Sequence, residues 1–338
     1  MPEKCIRSLR AHEAHQLHVY DGREMFRLRV TGVPSNFCPG SLMFLFERLD
    51  SDQAVERRIL YTGDFRLDDC RTPLGSLPSL QSLHQDGAPL SLDELYLDTT
   101  YCSLAFPAFP SRKNAEEKIW EVCQRWVRRN GMFKESNPQH VVLLELSSIT
   151  GHETILQTIH HKSLTKWKVH VREESLTSSA WTTTEHSKAP WLHACSDGGS
   201  EERRSSLPCQ PGHFQVCIVR PSAASFTRTR MAKLEEAGQD PGVLVSECGS
   251  YYKVCYSNHP SLVETERFIR HFSPRLITPL ALPHRWLLPP PHSLTVTFIR
   301  CSKNQLRDIL ASFLVASEDH GDTFEKPNAD ITTKLTDR

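Results

Sequence analysis

Asn36-Phe37-Cys38-Pro39-Gly40-Ser41-Leu42-Met43-Phe44-Leu45-Phe46, followed by Ile59-Leu60-Tyr61-Thr62-Gly63-Asp64-Phe65-Arg66, is the stretch on which the fold turns. A Pro-Gly turn opens onto an apolar run at 42–46, and a charged loop separates it from a second run at 59–62. Short apolar runs bounded by turn residues read as buried strands. The second ends on Gly63-Asp64 and so puts a carboxylate at the carboxyl end of a strand, where layered α/β folds commonly hold ligands and metals. A carboxylate there can bridge two divalent cations, the arrangement that aligns and cleaves phosphodiesters. Taken alone, an aspartate after a glycine is more simply a turn residue.

Working outward, residues 17–30 read as a hairpin around Asp21-Gly22, and 94–98 as a short strand ending on Asp98. Residues 71–92, rich in Leu, Ser, Pro and Gly, read as loop. The clearest helix is 111–130: Ser111 is a good N-cap, and Ala115, Ile119, Val122, Cys123, Trp126 and Val127 share one face. A strand at 140–146 and a helix at 152–161 continue a strand–helix alternation that points to α/β layering. The polar stretch 172–212 reads as loop, and 214–219, 242–246 and 250–256 as strands. Residues 261–272 read as a helix with Leu262, Thr265, Phe268, Ile269 and Phe272 on one face. A strand at 276–281 and an amphipathic helix at 303–316 follow, and the polar tail from Ser317 is expected to be disordered.

Composition bounds the function. Of 338 residues, 38% are hydrophobic and 24% charged, which are globular values. The net charge is zero, so any nucleic-acid site must be a local basic patch. The 11 cysteines form no CxxC pair, no apolar signal region opens the chain, and no apolar run is long enough to span a bilayer. A soluble chain with free thiols in a reducing compartment is expected. The 17 histidines mildly favour metal chemistry. Arg220, Ser222, Arg228 and Arg230 form a basic, hydroxyl-bearing loop after a strand, suited to gripping a phosphate. A solvated basic loop is an equal reading for Arg228 and Arg230 and a weaker one for Arg220.

Together the motifs resemble those of DNA-repair nucleases of the metallo-β-lactamase/β-CASP family, the Artemis-like DNA cross-link repair group. That family reads HCPGS-hydrophobic-MFLF and then LYTGDFR, and here the second is intact. Leu95-Tyr96-Leu97-Asp98-Thr99-Thr100-Tyr101-Cys102 resembles its YLDTT element, with Asp98 at the acidic position. Leu192-His193-Ala194-Cys195 with Leu207-Pro208-Cys209 resembles its HAC…LPC pair, and Arg220-Pro221-Ser222 its basic Pro-Ser element. Tyr252-Lys253-Val254-Cys255-Tyr256-Ser257-Asn258-His259 resembles the strand that leads to its last metal-binding histidine. The likeness runs from about Arg27 to about Pro283.

The pattern breaks at the family's His-x-His-x-Asp-His cluster. Only 36 residues precede Phe37, and His12, His15 and His18 among them do not reproduce that spacing. Phe37 stands where the third motif has a histidine ligand, and a phenyl ring cannot coordinate a cation. Two accounts fit: a truncated chain, or a degenerate paralogue that keeps the second half of the fold. Either leaves one layer of the sandwich short and apolar surface exposed.

What the resemblance implies is an α/β (α+β) fold: a metallo-β-lactamase αββα sandwich, partly truncated at its N-terminus, with an inserted β-CASP domain. The core would occupy 1–102 and return at 257–316, the insertion 103–256, and a polar tail 317–338. It further implies a metal-dependent DNA-repair nuclease, 5′–3′ exonuclease or endonuclease, in double-strand-break end joining and cross-link repair. Asp64 and Asp98 would be catalytic, Asp64 and His259 would hold zinc or magnesium, Arg220, Ser222, Arg228 and Arg230 would grip DNA, and His193 would support the site. Nuclear residence and work with the DNA-dependent protein kinase and DNA ligase IV also follow by resemblance, with no membrane. The alternative is a catalytically inactive relative that binds DNA. A small-molecule metallo-hydrolase would need the same missing histidines.

Overall fold

A computed structural model describes residues 8–20, 22–68, 72–128, 140–172, 180–195, 207, 209, 212–281 and 303–315. The chain divides into two compact units, one built from residues up to Ala108 and from Asn258 onward, the other from Phe109–Ser257.

The first unit is organised by a six-stranded sheet. Its strands are β1 (Ala14–Tyr20), β2 (Met25–Pro34), β3 (Leu42–Leu49), β4 (Val55–Tyr61), β7 (Glu94–Leu97) and β15 (Leu276–Pro279), in the order β1-β2-β3-β4-β7-β15. The first four pair antiparallel, whereas β4 and β7, and β7 and β15, run parallel. Burial alternates strictly along β3, with Met43, Leu45 and Leu49 inside. Met43 and Leu45 join Leu60, Leu95 and Leu97 in a core completed by helices α4 (Leu262–Phe272) and α5 (Lys303–Val315). Residues 71–92 are not the plain loop expected. They carry two short 3-10 turns, Leu74–Ser76 and Pro78–Leu83, and a two-residue hairpin, β5 (His84–Gln85) with β6 (Ala88–Pro89). The reason is burial, because Leu74, Leu80 and Leu83 belong to the same core. On the opposite sheet face Phe44, Tyr61 and Tyr96 lie in register, and Tyr61 is 41% exposed.

The second unit is a seven-stranded, mostly parallel sheet. Its strands are β8 (His140–Leu144), β9 (Val169–His170), β10 (Thr182–Thr183), β11 (Leu192–His193), β12 (Gln215–Pro221), β13 (Val243–Val245) and β14 (Tyr251–Val254). They lie in the order β10-β9-β11-β8-β12-β14-β13, with only β13 antiparallel. Helix α1 (Arg112–Val127) buries the face expected from its spacing, and the Ser111 hydroxyl caps it by accepting from the Asn114 amide at 3.2 Å. Helix α2 (Glu153–Lys162) joins the same core through Ile155, Leu156 and Ile159.

Two expectations need correction here. The stretch 172–212 contributes the two-residue strands β10 and β11, too short to show alternation in sequence. Residues 228–236, expected as a basic loop, form helix α3 (Arg228–Glu236). That helix buries no residue, so it has no apolar stripe to betray it. The tail 317–338 lies outside the described residues. Among the described residues no helix is long and apolar enough to cross a membrane.

One buried charge in the first sheet sets an acid limit. Glu47 accepts from Arg29 at 2.6 Å and from Arg58 at 3.0 Å, across the two neighbouring strands. Burial alone would push its carboxyl up, but the two guanidinium groups outweigh this and the net shift is downward. A depressed folded pKa gives stability that is present above the ordinary glutamate value of 4.5 and is lost as pH falls through the folded value. Glu47→Gln is therefore expected to cost about 1–3 kcal/mol at neutral pH, since its partners are partly solvated. The deficit should narrow below the ordinary glutamate value. Urea titrations of both proteins across pH check this; an equal deficit at every pH would contradict it.

Candidate metal centre

The first sheet places two carboxylates side by side. β4 and β7 are parallel neighbours, so their carboxyl ends meet at one edge. Past β4 the ladder continues, with the Thr62 amide donating to the Tyr96 carbonyl at 2.9 Å. Gly63 then turns in the left-handed region at φ 53°, which a residue without Cβ adopts freely, and Asp64 emerges from the turn half-exposed. Past β7 comes Asp98, whose side chain is 1% exposed. The buried Thr62 hydroxyl joins the two turns: it accepts from the Asp98 amide at 3.0 Å and donates to the Gly63 carbonyl at 2.7 Å.

His259 completes the group, from the loop that leads into α4. Its Nδ1 lies 2.8 Å from Asp98 Oδ2 and 3.9 Å from Asp64 Oδ1. The other Asp98 oxygen accepts from the Thr100 amide at 3.0 Å and the Thr100 hydroxyl at 2.6 Å, so the carboxylate is held at both ends. Donor atoms of Asp64, Asp98 and His259 all lie within 4.8 Å of one another. Burial raises the Asp64 pKa, as does the Asp98 charge, against an opposing effect of His259. Burial also works against charging the His259 imidazole, but the Asp98 hydrogen bond and the two carboxylates outweigh it, and its pKa stands above the ordinary value. Three donors around one open edge suit a single divalent cation with positions left for water or substrate. Phe37, where the resemblance led to the expectation of a histidine ligand, is also here, its ring centroid 5.5 Å from that of His259. Among the described residues no fourth carboxylate or imidazole joins the three. His12, His15 and His18 lie elsewhere, His12 bonded to Ser82 and the other two on β1.

The second unit holds a different cluster. His170 ends β9, His186 sits in a 3-10 turn (His186–Lys188), His193 ends β11, and Cys209 lies beyond. Their donor atoms too fall within 4.8 Å of one another. His170 and His186 stack at 4.1 Å, and Cys209 Sγ is 3.3 Å from His193 Nδ1. Burial and the two neighbouring imidazoles push the His170 pKa down to about 4, so the ring is neutral and can act as a ligand. His186 Nδ1 is buried with no hydrogen-bond partner among the described residues. The Cys195 thiol bonds Cys209, which pushes the Cys195 pKa up and the Cys209 pKa down. Four nitrogen and sulfur donors at one point fit a closed structural zinc site. His193, expected to support the Asp64 site, thus belongs to this cluster. The motif pointed to His193, Cys195 and Cys209, but His170 and His186 stand at long, irregular spacings and gave no signal.

The expected phosphate grip is spread over β12 and α3. Arg220, near the carboxyl end of β12, has its Nε 3.6 Å from Glu145, and the Ser222 amide donates to the Val254 carbonyl. Arg228 opens helix α3, and Arg230 donates to the Ser225 carbonyl at 3.4 Å. The two arginines therefore stand in the first turn of a helix, whose amides also favour anions.

Residues 177–284 match the family described as "DNA repair metallo-beta-lactamase". The chain is 29% identical to protein artemis of Mus musculus over 265 residues, covering 75% of this chain and 34% of that protein. It is 28% identical to protein artemis of Homo sapiens over 295 residues, 83% of this chain and 38% of that one. To 5′ exonuclease Apollo of Mus musculus it is 28% identical over 280 residues, 81% and 42% respectively. The chain spans about a third to two-fifths of the length of these relatives.

The Asp98–His259 bond has a direct readout. In metal-free protein the His259 imidazole should titrate above the ordinary histidine value of 6.5, and Asp98→Asn should lower its midpoint. Side-chain NMR of the histidines measures both; an unchanged midpoint in the variant would show that the bond does not hold the ring.

Proposed function

We propose that this Artemis-like chain acts in DNA repair, as a metal-dependent nuclease whose working site is Asp64, Asp98 and His259. The observation that carries the reading is the convergence of those three donors at the carboxyl ends of two parallel strands. Asp64, Asp98 and His259 would hold a divalent cation, magnesium or zinc, which supplies Lewis-acid polarisation of a phosphodiester. Asp64 is the exposed member and faces incoming substrate, while Asp98 is buried and orients His259. Arg220, Ser222, Arg228 and Arg230 would bind backbone phosphates. Only one cation is expected, because the three donors converge at one point and the phenyl ring of Phe37 beside them offers no ligand. In this reading 1–102 and 257–316 are metallo-β-lactamase core and 103–256 is the β-CASP insertion. The His170, His186, His193 and Cys209 cluster would hold a structural zinc. A role in end joining or cross-link repair, nuclear residence, and association with the DNA-dependent protein kinase and DNA ligase IV follow from the resemblance.

Phe37 favours a second reading, in which the chain binds DNA ends without cutting them. One assay separates the two. Labelled hairpin DNA and 5′-phosphorylated single strands are incubated with the purified chain and Mg²⁺ or Zn²⁺. The first reading expects cleavage that falls about 10²-fold or more in Asp64→Ala, the scale on which loss of one transition-state-stabilising group is felt. A folded, DNA-binding sample with no cleavage would leave the second. Elemental analysis tests the other cluster: zinc should co-purify with the wild type and be lost in Cys209→Ala, and equal zinc in both would remove the structural-zinc reading.

A further inference from the structure

Arg66 is the largest side chain in the protein with less than 2% exposure among the described residues. Burying a guanidinium is costly unless it is fully matched, so its partners show what it is for. Its Nε lies 3.0 Å from Glu264 Oε1, and Glu264 is itself 1% exposed. Its Nη1 donates to the backbone carbonyl of His259 at 3.1 Å. The Arg66 amide donates to the Ser35 carbonyl at 2.9 Å, at the base of the loop that carries Phe37. Glu264 in turn accepts from the Asp68 amide at 3.0 Å and from the Ser261 amide and hydroxyl at 2.9 and 2.8 Å, closing a capping box on α4. Asp64 is two residues before Arg66 in the chain, and His259 is two residues before Ser261. The two buried charges therefore fasten the turn that presents Asp64 to the loop that presents His259.

We propose that Arg66 and Glu264 are positioning residues for the metal centre: they set the backbone of His259 so that its imidazole reaches Asp98 and Asp64. The inference rests on the reading of Asp64, Asp98 and His259 as a cation site. A helix cap alone does not need Arg66, since Ser261 and Glu264 form the capping box without it. Core filling alone does not need a charge, since an unbranched apolar chain would occupy the same volume. The feature that neither role explains is the bond to the His259 carbonyl, which a lysine at this position could not make while also pairing with Glu264.

The test uses the full chain with Mn²⁺ as probe. Arg66→Lys keeps the charge and loses the fork. The double variant Arg66→Met with Glu264→Met removes both charges and keeps the volume, a replacement that often preserves stability. Thermal melts establish that each variant is folded, and calorimetric titration gives Mn²⁺ affinity per folded molecule. Both variants are expected to bind about 10–100-fold more weakly than wild type, the usual cost of losing a residue that orients a ligand. In metal-free wild type, NMR should show the His259 Nδ1–H held by Asp98, and that signal should be lost in the double variant. A folded double variant with wild-type affinity and an intact His259 signal would overturn the inference. Wild type that binds no Mn²⁺, yet loses the His259 signal on substitution, would refute the cation site and leave the positioning of His259 standing.

Discussion

The first unit depends on one buried ion pair, Arg66 with Glu264. Two charges that shed their water must be matched by geometry, and among their partners are the His259 carbonyl and the Asp68 amide. Three stretches of chain meet on this pair: the turn after β4, the loop before β3, and the approach to α4 with its first turn. A purely apolar contact could hold these segments near one another with similar energy. It could not choose their register, because dispersion is insensitive to a slip of an ångström or two, whereas a guanidinium paired with Glu264 and donating to the His259 carbonyl is not.

The two donor clusters show two ways of keeping a ligand ready. Around Asp64 the donors are two oxygens and one nitrogen and one carboxylate is open to solvent; burial raises the Asp64 pKa, whereas the bond to Asp98 and the two carboxylates raise that of His259 against its burial. Around His193 the donors are nitrogen and sulfur, and burial together with neighbouring imidazoles lowers the pKa of His170 and of His186. The first arrangement leaves coordination positions free and suits a hard cation that exchanges ligands. The second closes around its centre and suits a soft, permanent one.

How much of this was legible in the sequence differs from element to element. Helices α1 and α4 were readable because each buries one face, and the buried positions recur at helical spacing. Helix α3 was not, because it buries nothing and its residues give no period. Asp64 and Asp98 stand at strand ends that turn signals bracket, and His259 was carried by the likeness of its strand. Their convergence was expected only through the resemblance; the residues alone could not give it, because it depends on β4 and β7 being parallel neighbours and on the chain's return to the first unit after Ser257. His170 and His186 stayed hidden for the same reason: a two-residue strand and a short turn leave no pattern to find.

That return has a consequence for how the protein comes into being. β7 pairs with β15, and Glu94 lies opposite Leu276, so the whole second unit is synthesised between the two partners. Domains emerging from a ribosome fold in order from the N-terminus. The antiparallel ribbon from β1 to β4 can form from local contacts alone. The parallel edge, the helix α4 and His259 arrive only after the insertion has been made. A nascent chain therefore holds Asp64 and Asp98 without their imidazole partner. The group of Asp64, Asp98 and His259 can close only after the second unit has been synthesised.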